Sequence, residues 1–190
     1  MFRYQILIEY DGKRFLGWQI QKRGLSVQKA IQFQLSKLLK NKIIIYGSGR
    51  TDTGVHAIEQ SAHFDSKIKI LDVKKKIKSL NFFLNPKKIS ILNIKKKDSK
   101  FHARYSAKQR IYKYVILNRI SPPSIDKNKV WHIRKKLNIR LMKKGATKLL
   151  GVHDFSTFRA SNCYSKSSIR SMKKITITKS KDKIIFKFKS

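Results

Sequence analysis

The segment Gly47-Ser48-Gly49-Arg50-Thr51-Asp52-Thr53-Gly54-Val55-His56-Ala57 places a carboxylate among three glycines, two residues after an arginine. The chain otherwise uses acid sparingly. Its 190 residues hold 10 Asp and Glu against 46 Lys and Arg, a formal charge of +36. Glycines at 47, 49 and 54 allow positive φ and let a ligand approach the backbone closely. A loop of this kind, fed by a strand, commonly presents functional side chains on a rigid support. Arg50 and Asp52 are close enough in sequence for a charge-assisted pair, and the positive surroundings predict an ionised Asp52. Asp52 is therefore a candidate nucleophile or base, and not a proton donor. The plainer alternative is that Asp52 caps a helix beginning near Val55, or knits the turn.

Three chemistries compete for such a carboxylate. Asp52-Thr53-Gly54 spells the aspartic protease signature, but that mechanism needs two carboxylates sharing a proton in an apolar setting. Here Arg50 and His56 flank the triplet instead. A phosphate-binding loop needs a Lys-Ser/Thr ending after its glycines, which is missing. Glycoside hydrolysis usually needs a second carboxylate, and Glu9, Asp11, Glu59 and Asp65 lie in no comparable motif. A single carboxylate acting on a nucleoside remains.

The charge implies a polyanionic partner, since phosphate neutralisation scales with the cations that reach the backbone. Lys outnumbers Arg thirty-five to eleven, so a Lys-rich background accounts for part of the excess. Nucleic acid is favoured over an anionic membrane surface, because no basic amphipathic helix stands out and no run approaches the roughly 20 apolar residues of a span. Cys163 is the only cysteine, which predicts a reducing compartment and no intrachain disulfide. The five histidines show no paired spacing with cysteine, so no metal site is expected. The opening MFRYQILIEYDG is too short and too charged for a signal peptide. The expectation is a cytoplasmic protein with no membrane segment.

Two periodicities place these residues. Phe2, Tyr4, Ile6, Ile8 and Tyr10 share one face of a strand, broken at Asp11-Gly12. Ser26 can cap a helix bearing Val27, Ile31, Leu35 and Leu38. Residues 42–46 read as a short buried strand leading into the glycine-rich loop. A second helix is predicted through Ile70, Val73, Ile77 and Leu80, closed by Asn85-Pro86, then a strand over 89–94. In the second half, Tyr112, Tyr114 and Ile116 alternate along a strand, and all three read as core. Pro122-Pro123 marks a loop. Met142, Ala146, Leu149 and Leu150 predict a helix ending at Gly151, and strands follow at 175–178 and 184–188. Strands and helices without strict βαβ alternation predict an α+β fold with a largely antiparallel sheet. The halves, 1–105 with the loop and 106–190, each run strand, helix, strand.

The run GRTDTGVHA closely resembles the signature of the tRNA pseudouridine synthase A family, and other blocks agree in order and type. These are Tyr10-Asp11-Gly12 with Phe15, Gly17-Trp18-Gln19 and Gln21; Ser26-Val27-Gln28; Phe101-His102-Ala103-Arg104 with Ser106-Ala107; Arg110-Ile111-Tyr112-Lys113-Tyr114; and Gly151, His153-Asp154-Phe155 and Phe158-Arg159. The resemblance implies the pseudouridine synthase fold, with two similar halves sharing a mixed, mainly antiparallel sheet, helices on one side and a central basic cleft. It implies isomerisation of uridine to pseudouridine in the anticodon arm of tRNA, without cofactor or metal, by a homodimer. Asp52 would be the catalytic residue, attacking ribose C1′ or removing a ribose proton. Arg50 would orient Asp52 and hold the flipped nucleotide, and Tyr112 would pack against the target base. The family continues past the length of this chain with an Asn-Phe-Leu…Met-Val-Arg block that supplies a basic residue to the site. Without it, the expected alternative is a truncated, catalytically inactive tRNA-binding protein. A basic ribosomal component is a third reading, opposed by the glycines and acid placed together.

Other motif residues have readings of their own. Trp18 serves either as an RNA-facing aromatic or as a packing anchor. His56 and His102 are expected to make structural hydrogen bonds. Arg104, Arg110, Arg159 and Arg170, standing in a chain that prefers Lys, suggest fork contacts with phosphate or carboxylate.

Overall fold

The computed structural model describes residues 1–159 and 167–190, so Cys163 lies outside the described residues. The backbone contacts divide the chain into two compact units, Met1–Ala107 and Lys108–Ser190.

In the first unit, β1 (Phe2–Tyr10), β2 (Ile45–Gly47), β3 (Ala57–Ser66) and β4 (Ile89–Lys97) form a sheet in the order β2-β3-β1-β4. All neighbours are antiparallel. The alternation along β1 has the expected result. Tyr4, Ile6, Ile8 and Tyr10 are buried on one face, and α1 (Val27–Leu38) and α2 (Val73–Leu84) close the same apolar cluster with Val27, Ile31, Leu35, Leu80 and Leu84. Each such side chain contributes about 1.5–3 kcal/mol on leaving water. Ser26 caps α1, its hydroxyl accepting from Lys29 N–H at 3.2 Å.

Two boundaries move. Residues 42–44 stay out of the ladder because side chains of α1 take donors of this segment. Ser36 Oγ accepts from Ile43 N–H, and Gln32 Oε1 accepts from the N–H of Ile45, where β2 begins. Ile70 lies before α2, whose N-cap is Asp72. Its N–H donates to the buried Tyr4 hydroxyl at 2.8 Å, so tertiary contact ends the periodic run early.

The second unit contains β5 (Ile111–Asn118), β6 (Trp131–Ile133), α3 (Ile139–Thr147), β7 (Gly151–Asp154), β8 (Ile169–Met172), β9 (Lys174–Ser180) and β10 (Lys183–Lys189). Its sheet runs β6-β5-β10-β9, with β5 and β6 parallel and the other pairs antiparallel, while β7 and β8 pair as a ribbon. Ile116, Ile177 and Ile184 form its small core under Met142 and Ala146 of α3. The predicted helix end at Gly151 is corrected. α3 stops at Thr147, and three successive i→i+3 bonds, from Lys148, Leu149 and Leu150, tighten the chain. Gly151 has φ +99° and opens β7. The core reading of the alternating tyrosines is also corrected. Only Ile116 is buried, whereas Tyr112 is 48% and Tyr114 63% exposed.

The architecture is the α+β class with mixed, mainly antiparallel pairing that the sequence predicts. Among the described residues the hydrogen-bonded ladders form a four-stranded sheet in each unit and the β7–β8 ribbon.

Candidate active-site loop

Residues 48–56 leave β2 and return as β3, so the two strands anchor both ends of the loop. Ser48 N–H donates to Ser61 C=O at 2.8 Å, and Gln60 Nε2 donates to Gly49 C=O at 2.6 Å. The middle of the loop rests on the segment between β1 and α1. Trp18 N–H donates to Thr51 C=O at 3.0 Å, Gly54 N–H to Phe15 C=O at 3.4 Å, and Tyr10 and Thr51 share a hydroxyl hydrogen bond of 2.8 Å. The Trp18 and Gly54 bonds join backbone to backbone, and this close approach explains the glycines of the supporting segment. A Cβ on Gly12 would stand 1.9 Å from Val55 O, and one on Gly17, whose φ is +84°, would stand 2.4 Å from Thr51 O.

Trp18 is a packing anchor. It is buried, lies 6.2 Å from the Tyr10 ring, and presses its indole on Gly47, where a Cβ would come within 2.7 Å. Burial raises the Tyr10 phenol above its ordinary pKa, and the Thr51 hydrogen bond opposes that rise. The hydroxyl stays neutral, holding Thr51 next to Asp52.

Asp52 projects from this support into solvent. No helix follows it. Val55 N–H donates to Asp52 C=O in a turn, and β3 starts at Ala57, so the helix-cap reading is overturned. Arg50 is exposed in the same loop. The expected Arg50–Asp52 ion pair is not among the salt bridges of the described residues, which join Arg3 to Asp65, His56 to Asp11, Arg119 to Asp182 and Lys183 to Asp126. Two exposed side chains gain little from pairing in water, so proximity in sequence does not force contact.

His56 has the structural role expected of it. Its Nδ1 accepts from Gly12 N–H at 3.1 Å, or, once protonated, donates to Asp11 Oδ1 at the same distance; one nitrogen cannot do both. Tyr112 lies on β5 in the second unit, directly across the ladder from Phe188. Of the four arginines singled out, Arg104 lies over the Tyr105 ring and Arg170 donates to Ile169 C=O, while Arg110 holds the chain end through backbone bonds to Ser190.

Sequence reading passed over His63, whose only signal was its place in an alternating strand. It is buried, stacks on Tyr46 at 5.1 Å and meets His102 edge to face at 4.5 Å, and its Nδ1 accepts from Ala103 N–H. Burial first, then the charges of His102 and Arg3, hold its pKa down to about 4. An unfolded histidine titrates near 6.5. Between those two values the unfolded chain takes up a proton that the folded chain refuses. Stability is therefore complete above pH 6.5 and is lost by up to roughly 3 kcal/mol as pH falls toward 4. Thermal unfolding followed from pH 7.5 to 4.5 should show this decline, and His63→Asn, which keeps an acceptor for Ala103, should flatten it. A decline equally steep in the variant would assign it to other groups. Asp65, whose carboxyl the Arg3 guanidinium holds below its usual range, responds only at more acid pH.

Among the described residues no group of three His, Cys, Asp or Glu could hold a metal, and no helix is long and apolar enough to cross a membrane.

The loop and its support both fall within residues 6–106, the stretch that matches the family model described as tRNA pseudouridine synthase. The chain is 62% identical to a tRNA pseudouridine synthase A of Pelagibacter ubique, over all of this chain and 77% of the relative. It is 43% identical to one of Anaplasma phagocytophilum, over 96% of this chain and 74% of the relative. It is also 43% identical to one of Ehrlichia canis, over 92% and 71%. Identity at this level across both units, together with a match to the stretch that carries Asp52, establishes that the chain belongs to the tRNA pseudouridine synthase family.

Proposed function

We propose that this protein isomerises uridine to pseudouridine in tRNA, at uridines of the anticodon arm, with Asp52 as the catalytic carboxylate. What supports the reading is an acid held out to solvent on a loop clamped from both sides, in a chain of the tRNA pseudouridine synthase family. The reaction breaks the bond between ribose C1′ and uracil N1, turns the base, and joins C1′ to C5. The proton leaves C5 and N1 gains one, so atoms balance within one nucleotide and no cofactor enters. Asp52 acts at the sugar, either as nucleophile on C1′ or as base toward a ribose proton. Arg50, exposed two residues away, holds the everted nucleotide, and Tyr112, half exposed on β5, supplies a ring for the base. Everting a base costs a few kcal/mol, which stacking and phosphate contacts offset; a net charge of +36 supplies the latter.

The catalytic loop belongs to an N-terminal half, 1–105, and Tyr112 to a C-terminal half, 106–190. The working protein is a cytoplasmic homodimer. The test is incubation of unmodified tRNA transcript with the purified chain, followed by nucleoside chromatography and mapping of the modified positions. Pseudouridine in the anticodon arm is the expected product. Binding of tRNA with no product would instead favour an RNA-binding protein without catalysis.

A further inference from the structure

The face of the first sheet turned away from α1 and α2 is defined by the register Gln5↔His63 and His63↔Tyr46, opposite the buried row of Tyr4, Phe64 and Ile45. The segment 98–107 folds over this face. Arg3 fastens it, its Nε–Nη2 edge donating to both Asp65 carboxylate oxygens at 2.7–2.8 Å while Nη1 donates to the carbonyls of Ser99 and Phe101. Ala103 N–H closes on His63, and His102 accepts at Nδ1 from Arg104 N–H at 3.2 Å.

The result is a file of four rings. Tyr46 stacks on His63 at 5.1 Å and 22°, His63 meets His102 at 4.5 Å, and His102 meets Tyr105 at 4.4 Å and 36°. His63 is buried, but the two ends are open: Tyr46 is 47% and Tyr105 77% exposed. Packing alone would favour a buried end, since a ring left in water forfeits its transfer free energy. The setting is cationic. The Arg104 guanidinium lies 5.9 Å from the Tyr105 ring, Lys97 caps Phe101 at 5.1 Å, and residues 95–107 carry five Lys and Arg against Asp98 alone. An open ring beside fixed cations matches a nucleotide, whose base stacks while its phosphate meets the charge.

We propose that the Tyr46–His63–His102–Tyr105 file is a second base-binding platform, on which Tyr105 stacks an unpaired base of the RNA and Arg104 meets its phosphate. The platform is distinct from Asp52 and rests on the reading of tRNA as substrate. It supplies stacking affinity for the RNA outside the reacting nucleotide.

The test uses the full chain, an end-labelled tRNA transcript, and single-stranded and duplex RNA of equal length, with binding read by fluorescence anisotropy at fixed salt. Tyr105→Ala should weaken tRNA and single-stranded RNA about 5- to 100-fold. It should leave duplex RNA and the thermal midpoint unchanged, because the ring is exposed. Tyr105→Phe should stay within about twofold of wild type, since stacking does not need the hydroxyl. In Tyr105→Trp, single-stranded RNA should quench the added fluorescence. Wild-type affinity in Tyr105→Ala would overturn the platform, and so would equal losses for single-stranded and duplex RNA. Pseudouridine assays separate the two claims. Product without any effect at Tyr105 sinks the platform alone; tight, Tyr105-dependent binding without product sinks the catalytic reading alone; no RNA binding by wild type overturns both.

Discussion

Asp52→Asn is expected to abolish pseudouridine formation, lowering the single-turnover rate at saturating tRNA by about 10³-fold or more, while tRNA affinity and thermal midpoint stay at wild-type values. The size follows from the chemistry. Breaking a glycosidic bond to a poor leaving group requires a group that acts directly at the sugar, and an amide neither attacks C1′ nor accepts a ribose proton. The unchanged stability follows from the structure. Asp52 is exposed, no helix depends on it as a cap, and its backbone, not its side chain, makes the Val55 turn. The combination is diagnostic. A variant that loses activity together with several degrees of thermal midpoint would mark Asp52 as structural, and a variant as active as wild type would remove it from the reaction. Arg50→Ala, tested alongside, separates two roles. With no ion pair to Asp52 in this structure, its loss should act through binding of the nucleotide more than through the carboxylate.

Gly17→Ala should abolish product by a different route. The residue adopts φ +84°, which costs an alanine about 1–2 kcal/mol, and its new methyl would stand 2.4 Å from Thr51 O and 3.1 Å from the Asp52 carbonyl carbon. Those neighbours are backbone and cannot swing aside as a flexible side chain would. Either the 2.4 Å clash is borne, or the Trp18 N–H to Thr51 hydrogen bond breaks and the loop lifts. The combined penalty is roughly 3–5 kcal/mol. Gly54→Ala is the matched control. Its φ is +78°, yet nothing lies within 4 Å of the added Cβ, so only the backbone preference is charged. Denaturant unfolding and product assays on the two variants should therefore differ by at least about 1 kcal/mol and by a large factor in rate. Equal penalties would mean that the close approach of the two loops does not hold Asp52 in place.

Much of the molecule was legible from residue order alone, wherever a local rule was free to act. The period-two row of Tyr4, Ile6, Ile8 and Tyr10 needed only one buried face to become a strand. Ser26 needed only the orphan donors of the first helical turn. The family blocks, read as blocks, nominated Asp52, Arg50 and Tyr112 as candidates, and the structure leaves all three exposed. Local rules failed where a distant group competed for the same atoms. Ile43 gave its N–H to the Ser36 hydroxyl of α1 in place of a longer strand. Tyr112 and Tyr114 share a face with buried Ile116, but the buried cluster of this unit is only Ile116, Ile177 and Ile184 and leaves both rings exposed.

The amino-acid sequence by itself determined the β1 strand, the capped α1 helix, the family, and the identity of a lone carboxylate among glycines. Only the tertiary structure decided that Gly12 and Gly17 are needed for contact with residues 51–55, that Asp52 stands unpaired with Arg50, and that His63, 39 places before His102 in the chain, meets it edge to face. The reason is physical. Periodicity and capping are set by neighbours within a few residues, whereas steric exclusion between two backbones and the desolvation of a histidine depend on what the rest of the chain brings alongside.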